Sequence, residues 1–230
     1  MTSNCPLSFA ILLLTSTMAI ADVKLPSIFS DHMVLQRHME IPVWGWASPG
    51  EKVTVSIAGQ VKETIADKSG KWMVKLDQLD DTNAMTMVVS AKNTIEIKDV
   101  LAGEVWLCAG QSNMEMALGG ARDSAKEISS ADFPTMRTFK VEHSSQSAPA
   151  EDCTGKWIVC SPSTAGKFSA AAFFFGREIR QRLKTPIGLV NASWGGTLIE
   201  AWTSLEKNTT IPEFKAITAI LAQYSDPKLD

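Results

Sequence analysis

The stretch "GEVWLCAGQSNMEMALGG", residues 103–120, decides how the chain is read. Val105, Trp106 and Leu107 form an apolar run that stops at Gly110, and Ser112 follows two residues later. An amphipathic pattern then begins, so the stretch reads as a buried strand turning into a helix. Ser112-Asn113-Met114-Glu115 matches the S/T-x-x-E capping box, in which the serine side chain would cap its own helix. The same serine, on a tight turn allowed by Gly110, is also placed as a nucleophile would be.

Residues 191–202, "NASWGGTLIEAW", repeat this construction. A strand ends, Gly195 and Gly196 follow, and Thr197-Leu198-Ile199-Glu200 forms another capping box. In a parallel sheet both junctions open at the carboxyl ends of the strands, where ligands bind in open α/β folds. Free amide donors there suit a developing oxyanion. The first junction is not the G-x-S-x-G elbow, because Met114 stands where the second glycine would be. It is not a phosphate loop either, since no G-K-[ST] follows.

Outward from these junctions the chain divides. Residues 1–21 hold no charged side chain, are apolar or small from Leu7, and end in Ala19-Ile20-Ala21. They read as a secretory signal peptide, which implies a secreted, periplasmic or lysosomal protein with no stable membrane insertion. Residues 22–100 read as short strands between turn residues, an antiparallel β-sandwich. In "KVTVSIAG" (52–59), for example, Val53, Val55 and Ile57 alternate with Lys52, Thr54 and Ser56. Histidines 32 and 38 read as turn or surface residues. From 101 to 230 strands alternate with helices, the α/β signature. "TMRTFKVEH" (135–143) and "PIGLVNAS" (186–193) are the second and third strands. "SAAAFFFGREIRQRLK" (169–184) is a helix capped by Ser169, and 144–168 reads as loop-rich.

The chain is 45% hydrophobic and 20% charged with a formal charge of -3, the composition of a globular protein. No basic stripe marks a nucleic-acid binder, no Cys/His spacing marks a metal site, and no cofactor motif appears. Cys5 falls in the signal segment. Cys153 and Cys160 are close enough in sequence to clip a small loop, whereas Cys108 reads as a buried thiol.

"VWLCAGQSNMEM" and "IGLVNASWGGTLIEAW", with "GKFSAAAFFFGREI" between them, closely resemble the sialate O-acetylesterase family, a carbohydrate-esterase branch of the SGNH (GDSL-like) hydrolases. "LPSIFSDHMVLQR" and "IPVWGWASPGEKVTV" resemble that family's N-terminal sandwich. The resemblance implies a flavodoxin-type parallel sheet and an esterase acting on acetylated sugars. Ser112 would be the nucleophile and its amide an oxyanion donor, joined by Gly195 or Gly196 and by Asn191. Gln111 and Asn113 would line the site. The family's base lies in a D-x-x-H motif, and this sequence has no histidine after His143. The catalytic His and Asp are therefore expected beyond residue 230, and the 230 residues read as a truncated hydrolase, poorly active by itself. The competing reading is a noncatalytic carbohydrate-binding or structural module with Ser112 as a helix cap. A third, Cys108 as nucleophile, lacks a nearby base.

Overall fold

The computed structural model describes residues 22–216 and 219, apart from 81, 82 and 147. The expected signal segment, residues 1–21, lies outside the described residues.

The N-terminal part holds six short strands: β1 (Val34–Gln36), β2 (Ile41–Trp46), β3 (Lys52–Ile57), β4 (Gln60–Ile65), β5 (Lys71–Leu76) and β6 (Met85–Ser90). The predicted alternation holds in β3, where Val53, Val55 and Ile57 are at most 2% exposed. The β4–β5 turn is built by Asp67, whose carboxylate accepts from the amides of Ser69 and Lys71 at 2.8 and 3.0 Å. Strands β2 and β5 form a two-stranded antiparallel sheet, and β4, β3 and β6 pair in sequence within a larger one. Ile41, Val43, Trp72 and Val74 of the first share one core with Val53, Val55, Met87 and Val89 of the second. At about 25 cal/mol per Å² this apolar burial is the main force holding the layers together.

The longest strand, β7 (Thr94–Gly110), serves both halves of the chain. Its first residues pair antiparallel with β6, Leu101–Gly103 pair parallel with β1, and from Glu104 onward it pairs parallel with β10 (Ile187–Ser193). The change of pattern near residue 101 thus falls inside one strand. Gly103 is required there, because a Cβ would lie 2.1 Å from the Pro186 carbonyl oxygen.

The remaining strands are β8 (Phe133–Val141) and β9 (Gly155–Cys160), and the order continues β7-β10-β8-β9. Strands β7, β10 and β8 are parallel, and β9 is antiparallel to β8. This corrects the expected flavodoxin-type order, in which the first strand lies between the second and the third. Here β1 and β6 occupy the other edge of β7. Both pairings end by Gly103, and from Glu104 onward β7 pairs with β10 among the described strands. Strand β9 was expected as loop; its pairing with β8 is a long-range contact that no local turn signal marks. Cys153 and Cys160 carry no bond to each other, and burial pushes the Cys160 thiol up to about 12.

The helices are α1 (Ser112–Glu115), α2 (Ser124–Ser129), α3 (Ala170–Leu183) and α4 (Leu205–Thr210). The Ser169 side chain caps α3 by accepting from the Ala172 amide, as predicted. Gly176 lets this helix approach the sheet, since a Cβ would sit 3.0 Å from a Leu189 methyl group. Among the described residues no helix is long and apolar enough to cross a membrane.

One polar contact locks β8 to the crossing strand. Arg137 is 3% exposed. Its guanidinium donates to the Asp99 carbonyl oxygen and, at 2.8 Å, to the Asp99 carboxylate. His32 Nδ1 lies 2.6 Å from the other carboxylate oxygen. Burial pushes the Asp99 pKa upward, but the His32 and Arg137 hydrogen bonds win and hold it below its ordinary 3.8. Stability from this group is therefore full above pH 3.8 and is lost as the pH falls through the lowered folded value. Asp99→Ala strands the buried guanidinium. Urea denaturation at pH 7 should show a loss of roughly 2–3 kcal/mol, less than for a fully buried pair because Asp99 is partly exposed, and the deficit should shrink in acid.

Candidate active site

All three parallel strands end at one edge of the sheet, and each delivers a residue to the same place. After β7, Gly110 takes a φ of +148°, open to glycine, and the chain turns through Gln111 into α1. Ser112 opens that helix on the surface, and its hydroxyl has no hydrogen-bond partner among the described residues. The Ser112 and Asn113 amides stand in the first turn, where no intrahelical acceptor exists. Gln111 and Asn113 are exposed beside it.

After β10, the Trp194 amide donates to the Gly110 carbonyl at 2.9 Å, which binds the second loop to the first. Gly195 then lies against Ser112: a Cβ on Gly195 would be 3.4 Å from Ser112 Oγ. Gly196 follows with a φ of +80°. After β8, His143 turns inward and stacks on Trp194, the rings 4.4 Å apart and within 2° of parallel.

Glu115 ties these three ends together. One carboxylate oxygen accepts from the Gly195 amide at 2.6 Å, and the other lies 2.8 Å from His143 Nε2. His143 Nε2 also lies 2.9 Å from the Ser193 carbonyl oxygen. Both neighbours are acceptors, so this nitrogen carries the proton, and in the neutral ring Nδ1 keeps the lone pair.

The geometry corrects several expectations. Ser112 is not a side-chain cap: the N-cap residue is Gln111, without a side-chain cap bond. Glu115 is not a capping partner, because the loop amide and the histidine hold its carboxylate. The second capping box fails likewise. Residues Ile199–Trp202 form a short 3-10 helix whose N-cap is Leu198, while Thr197 Oγ1 donates to Trp194 O at 2.7 Å and accepts from Trp202 Nε1 at 2.8 Å. The Gly195 amide, expected to face an oxyanion, is committed to Glu115. Asn191 is 5% exposed and lies opposite Cys108, below the junction. Its Oδ1 accepts from Ser193 Oγ at 2.7 Å, and its Nδ2 has no partner among the described residues. Cys108 is an unreactive thiol, its pKa raised by burial. Among the described residues no three His, Cys, Asp or Glu side chains converge as a metal site.

Glu115 and His143 are the residues that sequence reading missed. The signal was the position of His143, two residues past β8 at the same sheet edge as both junctions.

The fold is a mixed sheet with a parallel portion, and the site presents an exposed serine just past the carboxyl end of a parallel strand. A sequence model of carbohydrate esterases, the sialic acid-specific acetylesterases, matches residues 102–220, and the chain belongs to this family. It is 36% identical to a mouse sialate O-acetylesterase over 203 residues, 79% of this chain and 37% of the mouse protein. It is 34% identical to the human protein of the same name, again over 79% of this chain and 39% of that one. A carbohydrate acetylesterase from Xanthomonas citri superposes with a TM-score of 0.80 at 36% identity, covering 84% of this chain and 45% of that structure. The chain thus spans under half the length of these relatives.

Removing the Glu115 carboxylate should loosen the second loop. In Glu115→Ala, hydrogen exchange at the Gly195 amide should accelerate by about tenfold or more, the equivalent of one lost charge-assisted hydrogen bond. Trp194 fluorescence should change as the His143 stack relaxes. Glu115→Gln, which keeps an acceptor for Gly195, should fall between.

Proposed function

We propose that this protein is a secreted serine esterase that removes O-acetyl groups from sialic acids or related acetylated glycans. The observation that carries the reading is the unpartnered, exposed hydroxyl of Ser112, set at the strand end with the Gly195 turn against it. Family membership supports the reaction class.

In this reading Ser112 Oγ attacks the acetyl carbonyl carbon and gives up its proton to a base. The tetrahedral oxyanion is met by the Ser112 amide, with the Asn113 amide beside it. The sugar hydroxyl leaves with a proton, and the acetyl group stays on Ser112 until water releases acetate. Gln111 and Asn113 line the substrate side, and Gly196 keeps the second loop clear of side chains. Glu115 and His143 hold that loop in place. The base is the histidine of the family's D-x-x-H motif rather than His143, whose Nε2 already faces Glu115 and Ser193. Residues 22–100 are read as an antiparallel β-sandwich, and residues 1–21 as the leader for export.

The test is Ser112→Ala assayed for acetate release from O-acetylated sialic acid. Activity should fall by roughly 10³-fold or more. Stability should stay within about 0.5 kcal/mol of the parent, because the hydroxyl caps nothing. A variant that keeps its rate would overturn the assignment, and one that loses about 1 kcal/mol would restore the helix-cap role.

A further inference from the structure

A second cleft lies on the N-terminal part of the molecule, built by elements that Ser112 does not touch. It has a volume of about 360 Å³ and is floored by the β2–β5 ribbon. In a strand, residues two apart share a face, so Trp44 and Trp46 lie side by side; both are half-buried, and Trp44 packs edge-on against Phe29. Met73 stands opposite Trp44, and Lys71 opposite Trp46. Met73 and Ile65, 54% and 66% exposed, add apolar surface to the same cleft.

The rim is polar and ordered. Glu151 reaches in from the loop between β8 and β9, pairs with the Lys71 ammonium, and accepts from Trp46 Nε1 at 3.4 Å. Asp67 supplies a second carboxylate from the β4–β5 turn. Both acids are held below their ordinary range, Asp67 chiefly by the Ser69 hydroxyl and Glu151 by Lys71, so both are acceptors at neutral pH. Trp72, only 3% exposed, also lines the cleft, and its Nε1 donor has no partner among the described residues.

We propose that this cleft binds a neutral pyranose unit of a glycan, as a second site separate from Ser112. Indole faces take the C–H faces of a sugar ring, and the surrounding carboxylates and ammonium meet its hydroxyl groups. An acyl chain would take water from those charged groups and offer them no hydrogen bond in return. An anionic sugar would meet two carboxylates against one ammonium, which disfavours it. The volume falls in the range of small-ligand sites. The inference does not rest on the esterase reading, because no cleft residue lies at the Ser112 junction.

The experiment titrates the intact protein with xylohexaose, cellohexaose and maltohexaose, and with hexagalacturonate, every ring of which is charged, as the anionic control. Binding is read by calorimetry and by saturation-transfer NMR. At least one neutral oligosaccharide should bind saturably and more tightly than hexagalacturonate. Its affinity should fall about tenfold or more in Trp46→Ala, the loss of one stacking platform, and should also fall in Glu151→Ala. Glu151 is an exposed loop residue, so its variant tests the site without endangering the fold. Ser112→Ala should bind as the parent does. The proposal is overturned if none of the neutral oligosaccharides binds, if hexagalacturonate binds as well as they do, or if both cleft variants bind unchanged. It is overturned as well if Trp46→Ala abolishes only self-association of the protein, which would make the cleft a protein contact.

Discussion

Everything in this molecule depends on β7 being one strand. Its 17 residues form ladders with β6, then β1, then β10, so the antiparallel N-terminal sheet and the parallel C-terminal sheet are parts of one surface. The crossing is held from several sides: Gly103 admits Pro186, and Arg137 reaches from β8 to Asp99. The serine that the site is built on follows within two residues of the end of this strand. Its position is therefore set by hydrophobic layers far from it, through a backbone that changes neighbours without breaking.

At the site the deciding competition is for one carboxylate. A glutamate three residues into a helix can bond its own helix start, worth about 1 kcal/mol, or bridge outward. Glu115 bridges outward, to a backbone amide 80 positions away and to an imidazole. The outward bonds are short and charge-assisted, and such bonds are roughly twice as strong as neutral ones. One side chain thereby joins the ends of all three parallel strands. The proposed oxyanion donors narrow accordingly to the amides of the first turn.

What was legible in the sequence follows the range of each interaction. The alternation in β3, the Ser169 cap of α3 and the apolar run of β10 are local patterns, and the structure reproduces them. The place of Ser112 on a strand-to-helix turn was legible because a strand end, a glycine and a serine are adjacent in the chain. The two S/T-x-x-E stretches misled for the converse reason: the pattern is local, but the partners that Glu115 and Thr197 take are not. Strand order was not legible, since it rests on pairings between strands far apart in the chain, such as β7 with β10 and β10 with β8. Neither was the Trp44–Trp46 cleft, which exists only once β2 is set in register with β5 and Glu151 arrives from a distant loop.

The missing side chain of Gly195 carries a consequence for how such a protein changes over generations. A methyl group there would sit 2.7 Å from the Glu115 carboxylate. A side chain at 195 would push that carboxylate aside and would also stand 3.4 Å from Ser112 Oγ. Room at 195 and the acid at 115, 80 positions apart, are therefore coupled: a substitution at one is felt at the other.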